Sequence, residues 1–163
     1  RRANAAVSVV HQAGKGHDGA VRDLYERDKA ASVIGYVTAP GAWYAGLAKP
    51  AFNPPPWLFG PAWTTLYILV AIAGWRVWRR EPGGWAMRLW WVQLGLNFAW
   101  SPVFFSAHRI GLALVVVVLL LAAILAFIAT AWRRDRVAAW LFAPYAAWVA
   151  FASLLNAAIL RLN

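Results

Sequence analysis

The segment IGLALVVVVLLLAAILAFIATAW, residues 110–132, runs for twenty-three positions without an Asp, Glu, Lys or Arg. A bilayer core about 30 Å thick is crossed by about 20 apolar residues in a helix, so this stretch is long enough to span one. Working outward from it, Val137–Leu160 and Leu89–Ala107 are equally free of charge, and so is the run 51–75. Pro54, Pro55 and Pro56 argue against helix at the start of that run, which places its helical part after Pro61. The expected spans are therefore about 61–78, 87–107, 110–132 and 137–160. Between them lie a Pro/Gly turn at Arg79–Gly84, a reversal at His108-Arg109 and a charged hairpin at Arg133–Arg136. Connections this short make sequential helices antiparallel neighbours in an all-α, polytopic membrane bundle.

Composition agrees and narrows the chemistry. Of 163 residues 62% are hydrophobic and only 13% charged, too little polar surface for a water-soluble domain of this size. The absence of Cys removes disulfides, thiolate metal sites and Cys nucleophiles, and three His with six Asp/Glu leave little acid–base chemistry. No metal site is expected, no cofactor is required, and there is no Gly-rich phosphate loop, HExxH, GxSxG or regular repeat.

The net charge of +10 is largely a topology signal. Arg76, Arg79, Arg80 and Arg88 flank one loop, and Arg133, Arg134 and Arg136 fill another on the same side. Basic loops stay cytoplasmic during insertion, so the 76–88 and 133–136 loops are expected inside, with the Pro-rich 49–61 segment and the C-terminus outside. Because these arginines sit at helix ends and not on one solvated surface, nucleic acid is not an expected partner. Bilayer lipid is.

Residues 1–37 form an atypical N-terminal segment. Residues 1–29 carry six basic and four acidic residues and cannot cross a membrane. Ala30–Ala48 is uncharged, but Gly35, Pro40, Gly41 and Gly46 make it a poor span, at most partial or re-entrant. The first residue is Arg, as expected of a processed chain or a fragment. The membrane domain is set at 38–163, opening with a loop over 38–60.

Polar side chains inside spans need a partner or a cavity. Gln93, Asn97 and Ser101 share one helical stripe, and Trp90, Gln93, Asn97, Trp100 and Phe104 alternate at three and four residues. Tyr145, Trp148, Ala152 and Asn156 do the same in the last span, while Trp63 and Tyr67 lie one turn apart in the first. Three helices thus each offer aromatic rings with a neutral hydrogen-bonding group and no carboxylate. Trp75, Trp78, Trp85, Trp132 and Trp140, at span ends, are explained by the aromatic belt. Gln93 and Asn156 divide evenly between pocket residues and plain helix-to-helix glue. An uncharged aromatic pocket suits a flat, largely apolar ligand, a tetrapyrrole or a sterol, with Lys49 either meeting a ligand carboxylate at the mouth or simply an exposed loop charge. Proton-coupled export is disfavoured because the spans lack Asp, Glu and His.

These motifs occur together in a recognisable order. Trp43-Tyr44-Ala45-Gly46-Leu47-Ala48-Lys49-Pro50-Ala51-Phe52-Asn53-Pro54-Pro55, then Trp57, Phe59-Gly60-Pro61 and Trp63-Thr64, closely resembles the first loop and second helix of the TspO family of tryptophan-rich sensory and translocator proteins. Gln93-Leu94-Gly95-Leu96-Asn97 with Trp100-Ser101-Pro102-Val103-Phe104-Phe105 resembles its third helix, and Pro144-Tyr145, Trp148 and Leu155-Asn156 its fifth, the likeness covering about residues 38–163. The resemblance implies a five-helix bundle, often a homodimer, that binds protoporphyrin IX or a haem-like tetrapyrrole and in some members sterols. It puts Tyr44, Trp63, Asn97, Trp100, Trp148 and Ala152 at ligand positions, beside Tyr67, Phe104 and Tyr145 from the helical spacing. Some bacterial members are reported to degrade bound porphyrin in light through tryptophans that match Trp63 and Trp148, so these two are the catalytic residues if such a reaction occurs; enzymatic status is left open. The chain departs from the family in lacking a normal first helix before Thr38, leaving four secure spans and a degenerate or missing first one. After Tyr145 no Lys or Arg occurs until Arg161, so the short sterol pattern is unmatched and tetrapyrrole is the favoured ligand. The expected role is a sensor, carrier or disposal site for porphyrins in the membrane of a bacterial cell, with light- and oxygen-dependent degradation, or transport of small apolar ligands, as alternatives.

Overall fold

The computed structural model describes residues 42–163; the expectations for residues 1–37 and for the first positions of the 38–60 loop lie outside them. Among the described residues all regular structure is helical. A short α1, Ala42–Gly46, leads through a Pro-rich loop to α2, Pro56–Arg80. Then come α3, Trp85–Ser101, which runs on into a π-helical turn Pro102–Ser106, α4, Ile110–Trp132, and α5, Arg136–Leu162. Helices α2, α4 and α5 are each long and apolar enough to cross a membrane, while the seventeen residues of α3 reach comparable length only with the π-helical turn.

α2 begins at Pro56, five residues before the expected start, and carries Pro61 inside it. The reason is positional. Pro56 occupies the first turn, where its missing N–H would be unpaired in any case. Pro61 removes one further backbone bond, to the carbonyl of Trp57 in the first turn, a single loss near the helix start. Thr64 and Thr65 turn their hydroxyls back onto the helix, donating to the carbonyls of Gly60 and Pro61 at 2.9 and 3.0 Å.

α4 is the centre of the bundle, packed against both α3 and α5, and α5 also packs on α2; α2 and α3 touch only sparingly. The buried residues of α4 are Ala113, Val117, Leu120, Ala123, Ile124, Phe127 and Ala131, and those of α5 include Ala138, Phe142, Tyr145, Val149, Asn156 and Ile159. Ala123 apart, these positions advance by three, four or seven residues, the seam of two helices packed side by side. Small residues at 113, 131, 138 and 139 bring the backbones close, and the Phe127 and Phe142 rings stack at 3.9 Å between centroids.

Gly74 performs the same service for α2 and α3. A Cβ at this position would lie 2.5 Å from the indole of Trp90, whose Nε1–H donates to the Val70 carbonyl at 3.0 Å. One bare glycine therefore lets an aromatic ring of α3 lie flat on the backbone of α2.

The arginine-rich end is closed by a buried carboxylate. Asp135 caps α5, accepting from the Ala138 N–H at 3.1 Å, and receives Arg76 through two bonds of 3.0 and 3.1 Å and Arg80 Nε at 3.1 Å. Arg80 also donates to the Arg134 carbonyl, and Arg134 pairs with Glu81, so the two loops are joined directly. Spacing along the chain marks these arginines largely as a topology signal; the further signal is Asp135 standing immediately before a helix, an N-cap position that needs a nearby cation once it is buried. Burial opposes ionisation of Asp135, but the Arg76 hydrogen bond, the Ala138 N–H and the charges of Arg76 and Arg80 outweigh it and hold the carboxyl below its ordinary value.

Two outcomes follow for thermal unfolding in mild detergent followed by circular dichroism. Gly74→Ala should cost about 1–3 kcal/mol by overpacking, whereas Gly60→Ala, with open space around it, should not destabilise. Asp135→Asn, which can keep the cap but loses the charge that pairs with Arg76 and Arg80, should cost about 1–3 kcal/mol. Since the folded carboxyl titrates below the unfolded value of about 4, this contribution is complete above that value and fades as pH falls through the folded one. The gap between wild type and Asp135→Asn should accordingly narrow on acidification.

Candidate functional site

Two aromatic groups share the bundle, and together they hold the predicted site residues. The inner group is built on a hydrogen-bonded chain across three helices: Tyr67 of α2 donates to Asn97 Oδ1 of α3 at 2.9 Å, and Asn97 Nδ2 donates to the Tyr145 hydroxyl of α5 at 2.9 Å. Trp63 stacks on Tyr67 at 5.3 Å, meets Tyr145 edge-on at 6.4 Å and reaches Trp148 at 6.5 Å. Tyr145 is 1% exposed and Tyr67 42%, so the chain leads from an open flank of α2 into the core. Ala152 packs half-buried against the same cluster.

The outer group gathers around the π-helical turn. In this turn Phe104 points inward, where it is 2% exposed and stacks on Trp100 at 5.2 Å. Tyr44 and Trp43 of α1 meet Phe104 edge-on at 6.0 and 5.8 Å. Trp43 also stacks on His108 at 4.2 Å; His108 turns the chain with φ of 54°, a left-handed conformation that His adopts more readily than most residues. The nine predicted residues thus fall into two sets: Trp63, Tyr67, Asn97, Tyr145, Trp148 and Ala152 in one, Tyr44, Trp100 and Phe104 in the other.

α1 is held over the outer group by contacts that sequence patterning could not reveal. Asn163, the last residue, both accepts from the Ala48 N–H at 3.0 Å and donates to its carbonyl at 3.1 Å. The Tyr44 hydroxyl donates to Asn53 at 3.3 Å, and burial pushes its pKa up, keeping the proton needed for that bond. Lys49 folds back, donating to the Ala45 and Leu47 carbonyls at 3.2 Å with its ammonium 4.7 Å over the Tyr44 ring. It closes the end of α1 and does not stand free at a mouth.

The two amides left open by the sequence reading separate. Asn156, oriented to satisfy both its ends, donates to the Ile110 carbonyl at 3.2 Å and accepts from Trp100 Nε1 at 3.3 Å, tying α5 to α4 and α3. Gln93 is 1% exposed, and among the described residues neither amide atom has a hydrogen-bond partner. Beside the inner group, an open apolar cleft of about 710 Å³ lies between α2 and α5, walled by Leu58, Pro61, Leu69, Pro144, Trp148 and Phe151 among others. Trp148 is the one predicted residue that it shares. Among the described residues no cluster of His, Asp or Glu could hold a metal ion.

A bundle of apolar helices with neutral amides and half-buried tryptophans such as Trp63, Trp100 and Trp148 turned inward defines a helical membrane protein. Comparison with known proteins specifies the class: residues 29–162 match the TspO/MBR family, and the chain belongs to it. It is 39% identical over 137 residues to protein CrtK of Rhodobacter capsulatus, covering 82% of this chain and 86% of that one. The tryptophan-rich sensory protein of Cereibacter sphaeroides is 39% identical over 134 residues, 82% and 85% of the two chains. The human translocator protein is 41% identical over 127 residues, 74% and 75% of the two.

The two amides of α3 should respond oppositely to removal. Gln93→Met replaces an unpaired buried amide by an apolar chain of similar length and should raise stability by about 1 kcal/mol. Asn97→Leu cuts both bonds of the inner chain and should lower it by about 0.6–2 kcal/mol. Melting of the two variants side by side in detergent checks the contrast.

Proposed function

We propose that this chain binds a flat, largely apolar tetrapyrrole of the protoporphyrin IX type and acts in the membrane as a sensor, carrier or disposal site for it. The observation that carries this reading is the inner group: a stacked Trp63–Tyr67 pair and Trp148 offer ring faces, and the Tyr67–Asn97–Tyr145 chain supplies fixed polar atoms beside them. Rings favour a planar apolar ligand, and a few placed hydrogen-bonding groups fix its orientation. α1, latched by Asn163, covers the outer aromatic group at the same end as the Pro-rich loop. The excess of arginine in the 76–88 and 133–136 loops favours a cytoplasmic position for them in a bacterial cell membrane. Pairing of two copies accords with the exposed apolar face of α3 at Trp91, Val92 and Phe98.

A second reading draws on Trp63 and Trp148 standing 6.5 Å apart. Two indoles beside a photoexcited porphyrin are electron donors at one wall, with dioxygen as the oxidant, and would make the protein a porphyrin-degrading enzyme.

Titration of the detergent-solubilised chain with protoporphyrin IX in the dark, followed by quenching of tryptophan fluorescence, tests binding. Saturable quenching should weaken about tenfold or more in Asn97→Ala and Trp148→Phe, as the loss of one hydrogen bond or stacking contact predicts. Non-saturable quenching, or variants indistinguishable from wild type, would remove the site. Illumination of the same samples separates the second reading: porphyrin absorbance that decays in wild type and persists in Trp63→Phe marks an enzyme, and constant absorbance marks a binder.

A further inference from the structure

Among the described residues the arginine-rich end carries more cation than its acids engage. Its seven arginines face two acids, and Asp135 and Glu81 engage Arg76, Arg80 and Arg134. Of the other four, Arg133 lies over no ring among the described residues, whereas Arg79, Arg88 and Arg136, which have neither an acid nor a hydrogen-bond acceptor there, each lie over a tryptophan. The guanidinium carbon stands 5.2 Å from the Trp75 ring for Arg79, 5.1 Å from Trp85 for Arg88 and 6.0 Å from Trp132 for Arg136. All three rings are exposed, by 55, 70 and 42%. The opposite end has no arginine over a tryptophan among the described residues: Lys49 lies over Tyr44 but spends its ammonium on the Ala45 and Leu47 carbonyls, and neither Arg109 nor Arg161 lies over a ring.

We propose that these three arginine–tryptophan pairs form a rim that retains anionic glycerophospholipids by their phosphates. An exposed indole at a helix end sits at headgroup depth, apolar body toward the acyl chains and N–H toward water. A guanidinium over such a ring still has its five donors to offer, and with no acceptor among the described residues that planar fork matches the paired oxygens of a phosphate. The pairs stand at the end of α2, the start of α3 and the α4–α5 junction, so each meets the lipid beside its own helix. The Arg80–Asp135 and Arg134–Glu81 ties join the two loops and hold these helix ends in place. A phosphate bound there is close to the bilayer surface, where the attraction is screened less than in bulk water.

Native mass spectrometry of the full chain, released from detergent micelles containing equimolar dioleoyl phosphatidylglycerol and dioleoyl phosphatidylcholine, tests the rim. Phosphatidylglycerol adducts should exceed phosphatidylcholine adducts several-fold. In the triple variant Arg79→Gln/Arg88→Gln/Arg136→Gln the ratio should fall to about one, with helicity by circular dichroism unchanged. The corresponding triple Lys variant, which keeps the charge and loses the fork, should fall between them, and Arg109→Gln/Arg161→Gln should retain the wild-type ratio. Equal retention of the two lipids by wild type would overturn the proposal. So would an unchanged ratio in the Gln triple, or an equal loss in the Arg109/Arg161 variant, which would make the effect one of net charge. Displacement of the lipid by inorganic phosphate at matched concentration would assign the rim to free phosphate and overturn the lipid assignment.

Discussion

Helices inside a bilayer gain nothing by hiding apolar surface from one another, because lipid chains are as apolar as leucine. What holds this bundle together must be close contact, and the α4–α5 seam supplies most of it. Alanines at 113, 131, 138 and 139 bring two backbones together, and the Phe127–Phe142 stack fills the space that remains. α3 lies on the other flank of α4, and α2 reaches the bundle mainly through α5. The sparse contact between α2 and α3 is bridged at two levels, by Trp90 lying on Gly74 and by Tyr67 bonded to Asn97. Both bridges put polar atoms of one helix onto another, which is the kind of contact that lipid cannot replace.

The two ends of the bundle solve different problems. At the arginine-rich end a single buried carboxylate caps a helix and gathers two guanidiniums, so one residue fixes both a helix start and the meeting of two loops. Removing it would leave a partly buried cation without its partner. At the other end there is no acid among the described residues, and closure is made without a carboxylate: an amide at Asn163 on a backbone unit, a tyrosine on Asn53, a lysine ammonium on backbone carbonyls. These are individually weak, as suits a segment lying over an aromatic cluster.

Much of the candidate site was legible because its residues repeat at helical spacing. Trp90, Gln93, Asn97, Trp100 and Phe104 do share the inner half of α3, and Tyr145, Trp148 and Asn156 that of α5. Spacing could not say what each polar atom meets. Asn97 and Asn156 look alike on paper, yet one joins two tyrosines and the other ties an indole to a helix end, while Gln93 meets no partner among the described residues. Nor could it show the π-helical turn at Pro102–Ser106, from which Phe104 joins Trp100 in the group beneath α1.

The sequence by itself determined the solvent, the spans and the family. Charge-free runs, arginines confined to their ends and the ordered Trp, Asn and Pro motifs depend only on composition and spacing along one chain, and transfer energies act residue by residue. Tertiary structure alone decided the partners: that Pro61 lies within a helix, that Asp135 is buried between arginines, that the site divides in two, and that three arginines rest on exposed indoles. Each of these depends on which side chains from distant segments arrive at one place, a matter of rotation and depth of whole helices that no local pattern encodes.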